Sequence, residues 1–405
     1  MGSLLTLFGQ PYVHTPLTLS GNEITDGTRG AALAGDGLSE DSSYGIWESS
    51  TNLCTNGGFE TNTTGWTTGG TNTIASSATR FKFGAKSCLA TYADNATLAD
   101  FAITITNAAH TASCWVYIPT AYDGAGIELR QLNYTVAASA VAANMATRDA
   151  WQRLSLTFTP GADVIGNIQI NNTGAAPTAT RFIYIDGVQV ERRPIATPYV
   201  ETDGGTASRS AASVSAPASL LNETQGWMMM RWRCPRTTPQ TTSFGRFFEW
   251  GTNSSDVIYM GLSGSGAGSV PLYFTRHTTT SAGHYTSPNI GAELVAGTVY
   301  TIGAQWDAAG YSIFVNGVRY GVTADTLVPV IPETTFDIGG DGTVIHADGE
   351  YLWAAFGTGT LTDADAALFY AWGNSDPQWH WFPKSAVITG LWHARSPMMK
   401  IRRGL

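Results

Sequence analysis

The chain has 405 residues, enough for two domains of ordinary size. Its aromatic content of 11 %, with 13 Trp, excludes a disordered linker protein, and its net charge of -9 excludes a general nucleic-acid binder, which needs clustered Lys and Arg. No apolar run approaches the ~20 residues of a membrane span, and the opening "MGSLLTLFGQPYVHTP" lacks the basic start and small-residue cleavage site of a signal peptide.

Residues 1–50 are turn-rich, with Asp26-Gly27 and Asp36-Gly37 as tight-turn dipeptides. They are expected to form an extended arm ordered only by a neighbour, either the next domain or another chain. The stretch "TNLCTNGGFETNTTGW" from Thr51 then reads as the first strand of a module.

Residues 51–191 alternate as strands do. In "TASCWVYIP", Cys114, Val116 and Ile118 share one face, and Ser113, Trp115 and Tyr117 the other. "WQRLSLTFTP", "NIQINN" and "RFIYIDGVQVE" alternate in the same way, with Phe182, Tyr184 and Asp186 opposite Ile183 and Ile185. Short strands with almost no helical periodicity predict a sandwich or jelly roll. Cys54, Cys88, Cys114 and Cys234 each sit in a strand-like run without Cys-x-x-Cys spacing, so buried thiols are expected ahead of disulfides or zinc.

"NLCTNGGFETNTTGW", "GAKSCLATY", "TASCWVYI", "WQRLSLTFT" and "RFIYIDGVQVE" resemble, in order and spacing, carbohydrate-binding modules related to families four and nine, which are β-jelly rolls. The resemblance implies a structural calcium held by oxygen ligands near the first and last strands, with Glu60 and Asp186 as its carboxylates. The alternative is that Glu60 caps a turn and Asp186 forms an Asp186-Gly187 turn.

Residues 192–218 break the alternation with Pro and a Ser/Ala-rich run and are expected to be a linker. A second β domain over 219–375 follows. In it Trp227, Met229 and Arg231 alternate with Met228, Met230 and Trp232, and Asn316-Gly317 predicts a type I′ hairpin. "LTDADAALFYAWG" is the one persuasive helix, with Thr362 as cap and Gly373 as stop. The order Trp306, Asp307 to Gly310, Val315 to Gly317, Ile338 to Gly340 and Leu361 to Tyr370 is similar to the concanavalin A-like or laminin-G-like lectin sandwich. Asp337 and Asp341 are further cation candidates there.

The tail 376–405 is basic and aromatic, with no acid after Asp376. Trp379, Trp381, Phe382, Trp392, Arg395, Arg402 and Arg403 are expected to dock on protein, either this chain or a partner in an assembly.

Sugar binding needs exposed rings beside hydrogen-bonding side chains. Trp115, Tyr117 and Arg130, the last beside Gln131, are the candidates in the first domain, and Tyr259, Tyr273, His277 and Tyr285 in the second. The competing reading puts the same rings in the core. A glycosidase would need two facing carboxylates, but Glu249, Asp256 and Asp307 are separated by turns, and no Ser nucleophile elbow precedes a helix. No catalytic residue is assigned.

The fold expected is therefore all-β: two tandem jelly-roll/β-sandwich domains with an N-terminal arm and a C-terminal docking tail. The arrangement resembles structural proteins of tailed bacteriophages, and "VQVERRPIATPYVETDG" is similar to the junction these use. That resemblance implies a non-enzymatic virion surface component, a capsid decoration or tail fibre or tip. It would assemble in the host cytoplasm with other virion proteins and copies of itself, and present its modules to host glycans. The alternative is a secreted carbohydrate-binding protein or non-catalytic accessory module.

Overall fold

A computed structural model describes residues 5–7, 10–12, 18–20, 44–94, 97–175, 177–178, 181–211, 213–235, 245–251, 256–262, 272–278, 281–286, 294–324, 326–340, 347–373 and 390–393. Among the described residues the protein is all-β with one α-helix, and its chain divides into two compact units.

Four short strands come first: β1 (Leu5–Leu7), β2 (Gln10–Tyr12), β3 (Thr18–Ser20) and β4 (Tyr44–Ile46). The first sandwich spans 49–210. It contains β5 (Ser50–Asn52), β6 (Trp66–Thr67), β7 (Thr73–Ser77), β8 (Ser87–Tyr92), β9 (Ala99–Ile105) and β10 (His110–Tyr117). It continues through β11 (Gly126–Leu132), β12 (Ser139–Ala142), β13 (Trp151–Phe158), β14 (Val164–Thr173), β15 (Arg181–Glu191) and β16 (Ala207–Arg209).

Two five-stranded antiparallel sheets face each other, in the orders β13-β10-β15-β8-β7 and β12-β11-β14-β9-β6. The alternation sends Cys114, Val116, Ile183 and Ile185 inward from one sheet and Phe101, Ile127, Leu129, Ile168 and Ile170 inward from the other. Each fully buried Ile, Leu or Phe in such a core contributes about 1.5–3 kcal/mol.

Asp186-Gly187 is not a turn. The pairing of β10 with β15 runs Ser113 to Gln189 and then Trp115 to Asp186, so Gly187 and Val188 face one residue, Cys114, in a β-bulge. Gly187 has φ 58, and a Cβ there would lie 2.7 Å from the Phe83 ring, so both backbone and space demand glycine. The Asn-Gly-Gly loop of the first module docks beside it, with Val188 N donating to the Gly57 carbonyl at 3.0 Å.

The expected linker is built into structure instead. β16 pairs with β5, placing Ser50 opposite Arg209. Asn52, fully buried, donates to the carbonyls of Val188 and Val200 and accepts from the amides of Cys54 and Val190. Thr197 and Thr202 are buried and hydrogen-bonded to Glu191 and to the Cys54 carbonyl. Residues 192–210 thus close the first sandwich through polar contacts, which leave no hydrophobic periodicity to read.

The second sandwich begins with β17 (Ser213–Pro217), a single 3-10 turn, β18 (Gly226–Arg233), β19 (Arg246–Gly251), β20 (Val257–Leu262) and β21 (Leu272–Thr278). It continues with β22 (Ser281–Thr286), β23 (Val299–Asp307), β24 (Gly310–Val315), β25 (Val318–Ala324), β26 (Thr335–Ile338) and β27 (Gly349–Gly357). Helix α1 (Asp363–Gly373) and β28 (Gly390–His393) complete it.

Trp306 stands at its centre, stacked between Phe248 and Phe274, with its indole N–H on the Asn222 carbonyl. The hairpin at Asn316-Gly317 has φ 49 and 81, as a type I′ turn requires. Thr362 caps α1: its hydroxyl accepts the Asp365 amide, while the Asp365 carboxylate accepts the Thr362 amide. The helix lays Phe369 on Trp227, so both faces of β18 are buried.

Three short strands outside the two sandwiches' own runs join the second one. β3 pairs with β17, and β4 and β28 both pair with β27. The expected all-β pair of sandwiches is present, and strands before and after them join the second one. The first sandwich is inserted between β4 and β17 of the second, and the arm supplies edge strands whose N–H and C=O groups close edges that would otherwise be unpaired.

Candidate functional site

Trp115 and Tyr117 lie on the outer face of the first sheet, opposite the core, but neither ring is open. They are 3 % and 4 % exposed. The Lys82 ammonium sits 4.0 Å over the Trp115 ring, and the Arg80 guanidinium 4.5 Å over that of Tyr117. Phe83 packs edge-on to Trp115. Tyr117 is also wedged between Trp151 and Tyr184, edge-to-face with both. The 80–86 segment covers this face, and the strand pattern of β10 carries no information about that distant loop.

Glu60 and Asp186 hold that loop in place. Asp186 is fully buried; its Oδ2 accepts the amides of Lys82 and Phe83 at 2.7 and 3.0 Å, and its Oδ1 accepts that of Gly187. Glu60 accepts the amides of Ala85 and Lys86. Burial pushes the Asp186 carboxyl up to about 7 against the pull of these donors, and Glu60 adds to the rise. A hard cation needs bare oxygens, whereas these carboxylates face the positive ends of N–H dipoles. The arrangement does not fit a calcium ion shared by Glu60 and Asp186. Among the described residues no group of three His, Cys, Asp or Glu is gathered as for a metal.

Arg130 belongs to the other sheet, so it does not meet Trp115 or Tyr117. It lies on a polar outer face where Gln169 is buried and Arg130 and Glu128 are partly exposed. Register sets Arg130 opposite Ala140 on β12 and Gln169 on β14, and Gln169 opposite Asp100 on β9. Arg130 Nε donates to Gln169 Oε1 at 2.8 Å, and Nη1 lies 3.7 Å from Glu128. Asn133 donates to Asn167, and Asn167 to Asp100 Oδ2. These contacts fix the directions of one guanidinium, two carboxylates and three amides across a sheet face. Ala102, Ala140, Ala142 and Thr104 around them are exposed and low, and Ile165 is 62 % exposed. No aromatic ring stands on this row. Its alternate polar positions were visible in "GIELRQL" and "NIQINN", yet Glu128, Asp100, Asn167 and Gln169 escape a search guided by rings.

In the second sandwich Tyr259 and Tyr273 pack edge-to-face at 5.6 Å, and the Arg246 guanidinium lies 4.4 Å over Tyr259 while ion-paired with Glu249. All four side chains are buried. Glu249 is opposite Asp337 in register, so two acids do adjoin here, one of them buried in an ion pair. His277 is half-buried at the end of β21. Tyr285 is set opposite Thr275, and its ring lies outside what the structure describes. Trp392 falls in β28 opposite Ala354, while Asp341, Trp379, Trp381, Phe382, Arg395, Arg402 and Arg403 lie outside the described residues.

No protein-family profile and no curated protein matches the sequence. Solved structures do. The CBM22-1 xylan-binding domain of Paenibacillus barcinonensis Xyn10C aligns at 15 % identity over 36 % of this chain and 94 % of its own, with TM-score 0.27. Domain 4 of AbnA, a GH43 extracellular arabinanase of Geobacillus stearothermophilus, aligns at 12 % identity over 42 % and 80 %, TM-score 0.31. The mouse laminin alpha1 LG4-5 domains align at 9 % identity over 64 % and 87 %, TM-score 0.24. Similarity at this level adds nothing to the architecture that strand pairing already establishes.

Proposed function

We propose that this chain is a non-enzymatic, glycan-binding structural protein whose first sandwich holds saccharide hydroxyls on the Arg130 face. The observation that carries this reading is the row Arg130–Gln169–Asp100 with Asn167 and Glu128, a set of oriented donors and acceptors on the outer side of a sheet, all but the buried Gln169 partly exposed. Sugar hydroxyls both donate and accept, which suits mixed guanidinium, amide and carboxylate groups. The exposed Ile165 offers an apolar contact for sugar C–H groups. On this face each acid is engaged by a neighbour, Glu128 by Arg130 and Asp100 by Asn167, which suits binding rather than proton transfer.

Calorimetric titration of the full chain with a panel of neutral oligosaccharides tests the reading. Arg130→Ala and Gln169→Ala are each expected to weaken binding about tenfold, the loss of one or two oriented hydrogen bonds. Unchanged affinity in both variants would remove the Arg130 face from the proposal.

The setting we propose is the surface of a tailed-phage particle, with weak single contacts multiplied by copy number. Anchoring there falls to the tail around Trp379, Trp381 and Arg402, and the partners are other virion proteins and further copies of the chain. One observation favours the alternative of a secreted binding protein: β3, β4 and β28 all pair with the chain's own second sandwich. Co-sedimentation with particles distinguishes the two, since a solitary monomer that never associates with them supports the secreted protein.

A further inference from the structure

β7 and β8 form a hairpin whose register sets Ser77 opposite Ser87, so residues 78–86 leave and re-enter the sheet at one place. Instead of turning tightly, this loop folds back over the outer face, where Lys82 covers the Trp115 ring and Arg80 that of Tyr117. Phe83 adds contacts to Trp115 and Tyr199, with ring centroids 6.2 and 4.8 Å away. A loop whose ends adjoin can lift while its flanking strands stay paired. Gly84, at φ 58 between the two acid grips, supplies backbone freedom for that movement.

What holds the loop down is acidic. The amides of Lys82 and Phe83 end on Asp186, and those of Ala85 and Lys86 on Glu60. A third acid adjoins them: a Cβ at Gly58 would lie 3.6 Å from the side chains of both Glu60 and Glu201. Burial, then Glu60, then Asp203 raise the Glu201 carboxyl. The other titratable groups facing Asp186 are Cys88 on β8 and Tyr199, which burial first and the Asp186 charge second keep protonated. Lys82, from the loop itself, has its ammonium on Trp115. Rising pH therefore gathers negative charge behind the loop that these acids hold.

We propose that residues 80–86 are an autoinhibitory strap, which fills the ring faces of Trp115 and Tyr117 with the chain's own cations and is released progressively as pH rises toward neutrality. Burial raises the Asp186 carboxyl from 3.8 to about 7 with the strap closed, and lifting the strap lets water restore its ordinary value. Closure is strongest below about pH 4 and weakens as pH climbs to about 7. The device belongs to the first sheet and rests neither on the Arg130 face nor on glycan binding there.

Hydrogen exchange of the full chain, read by peptide mass spectrometry, tests this. The opening constant of the 80–86 amides is their exchange rate divided by that of the unfolded chain at the same pH. It is expected to rise about tenfold per pH unit between about pH 4 and pH 7. At every pH it should exceed that of the β11 amides, because the strap opens without the sandwich. Labelling of Trp115 by a tryptophan-selective reagent, likewise divided by its rate in denaturant, is expected to rise in parallel. Asp186→Asn should lose most of the rise in both measurements. Should that variant misfold, Glu60→Gln removes the neighbouring charge instead, and the rise is expected to end at a lower pH. The proposal is overturned by an opening constant that stays level across this range, or by 80–86 amides that open no more often than those of β11. Trp115 labelling that stays flat while the amides open overturns it too, as does a rise that survives in Asp186→Asn or, in its place, is unshifted in Glu60→Gln.

Discussion

Glu60 and Asp186 grip successive stretches of one loop: Asp186 takes the Lys82 and Phe83 amides, and Glu60 takes those of Ala85 and Lys86. The loop they hold carries Lys82 onto Trp115 and Arg80 onto Tyr117. Two acids therefore close a sheet face that would otherwise present two rings.

This grip makes stability pH-dependent. Burial raises the Asp186 carboxyl from 3.8 to about 7. An acid raised in the folded state stabilises the fold fully below its unfolded pKa, and that contribution is lost as pH climbs through the folded value. The melting temperature is expected to fall between about pH 4 and pH 7, by a free energy of about 4 kcal/mol at most. Half-buried Glu201, raised by burial and by Glu60 and Asp203, acts in the same direction. Asp186→Asn should flatten most of the slope in a melting series across this range, and an equally steep slope in the variant contradicts the assignment.

The same geometry predicts indifference to chelation. With N–H donors on both carboxylates, we expect the melting temperature to be unmoved by EDTA or by added calcium. Glu60→Ala, by contrast, should cost about 1 kcal/mol, because the half-exposed loop recovers part of its bonding from water. A melting point that rises with calcium and returns to baseline with EDTA overturns this.

Cys54, Cys88 and Cys114 lie in the core of the first sandwich, where burial pushes the Cys54 and Cys114 thiols up to about 12 and that of Cys88 further. A thiol held protonated and covered is a poor nucleophile. Native protein at mildly alkaline pH is expected to leave these three unmodified by iodoacetamide, with full labelling in denaturant. Rapid native labelling, read by peptide mass spectrometry, counts against this core.

The insertion of one sandwich in the other is testable by excision. Ser50 and Arg209 are paired neighbours, so the ends of the insert adjoin. Residues 49–210 expressed alone should fold, and the remainder, with Glu48 joined to Ala211 through a short Gly-Ser bridge, should fold as well. Circular dichroism and cooperative melting of both pieces check this; an unfolded remainder would show that the second sandwich needs its insert.

Much of the strand layer was legible in the sequence. The alternation of Cys114 and Val116 against Trp115 and Tyr117, the Asn316-Gly317 turn and the Thr362 cap all depend on neighbours within a few residues. What escaped depends on distant partners. Trp115 has the right residue type and face for a sugar platform, but its exposure is decided by Lys82 and Phe83. The segment after Glu191 looked like a linker because its hold on the fold runs through Asn52, Thr197 and Thr202, polar side chains that turn inward only when their bonding partners are in place. The sequence marks Arg130 of that row but not its neighbours on β9 and β14, since register alone brings them together.

One edge strand carries a consequence for synthesis. β27 receives β4 at Gly349 to Tyr351 and β28 at Trp353 to Phe356, segments from opposite ends of the chain. On a ribosome, every strand of the inserted sandwich has emerged by Arg209, whereas Tyr44–Ile46 must wait for a partner some 300 residues later, about 15–60 s at ordinary elongation rates. Throughout that interval Tyr44–Ile46 lacks the partner it has in the folded chain and is open to the β27 segment of a neighbouring copy on the same message.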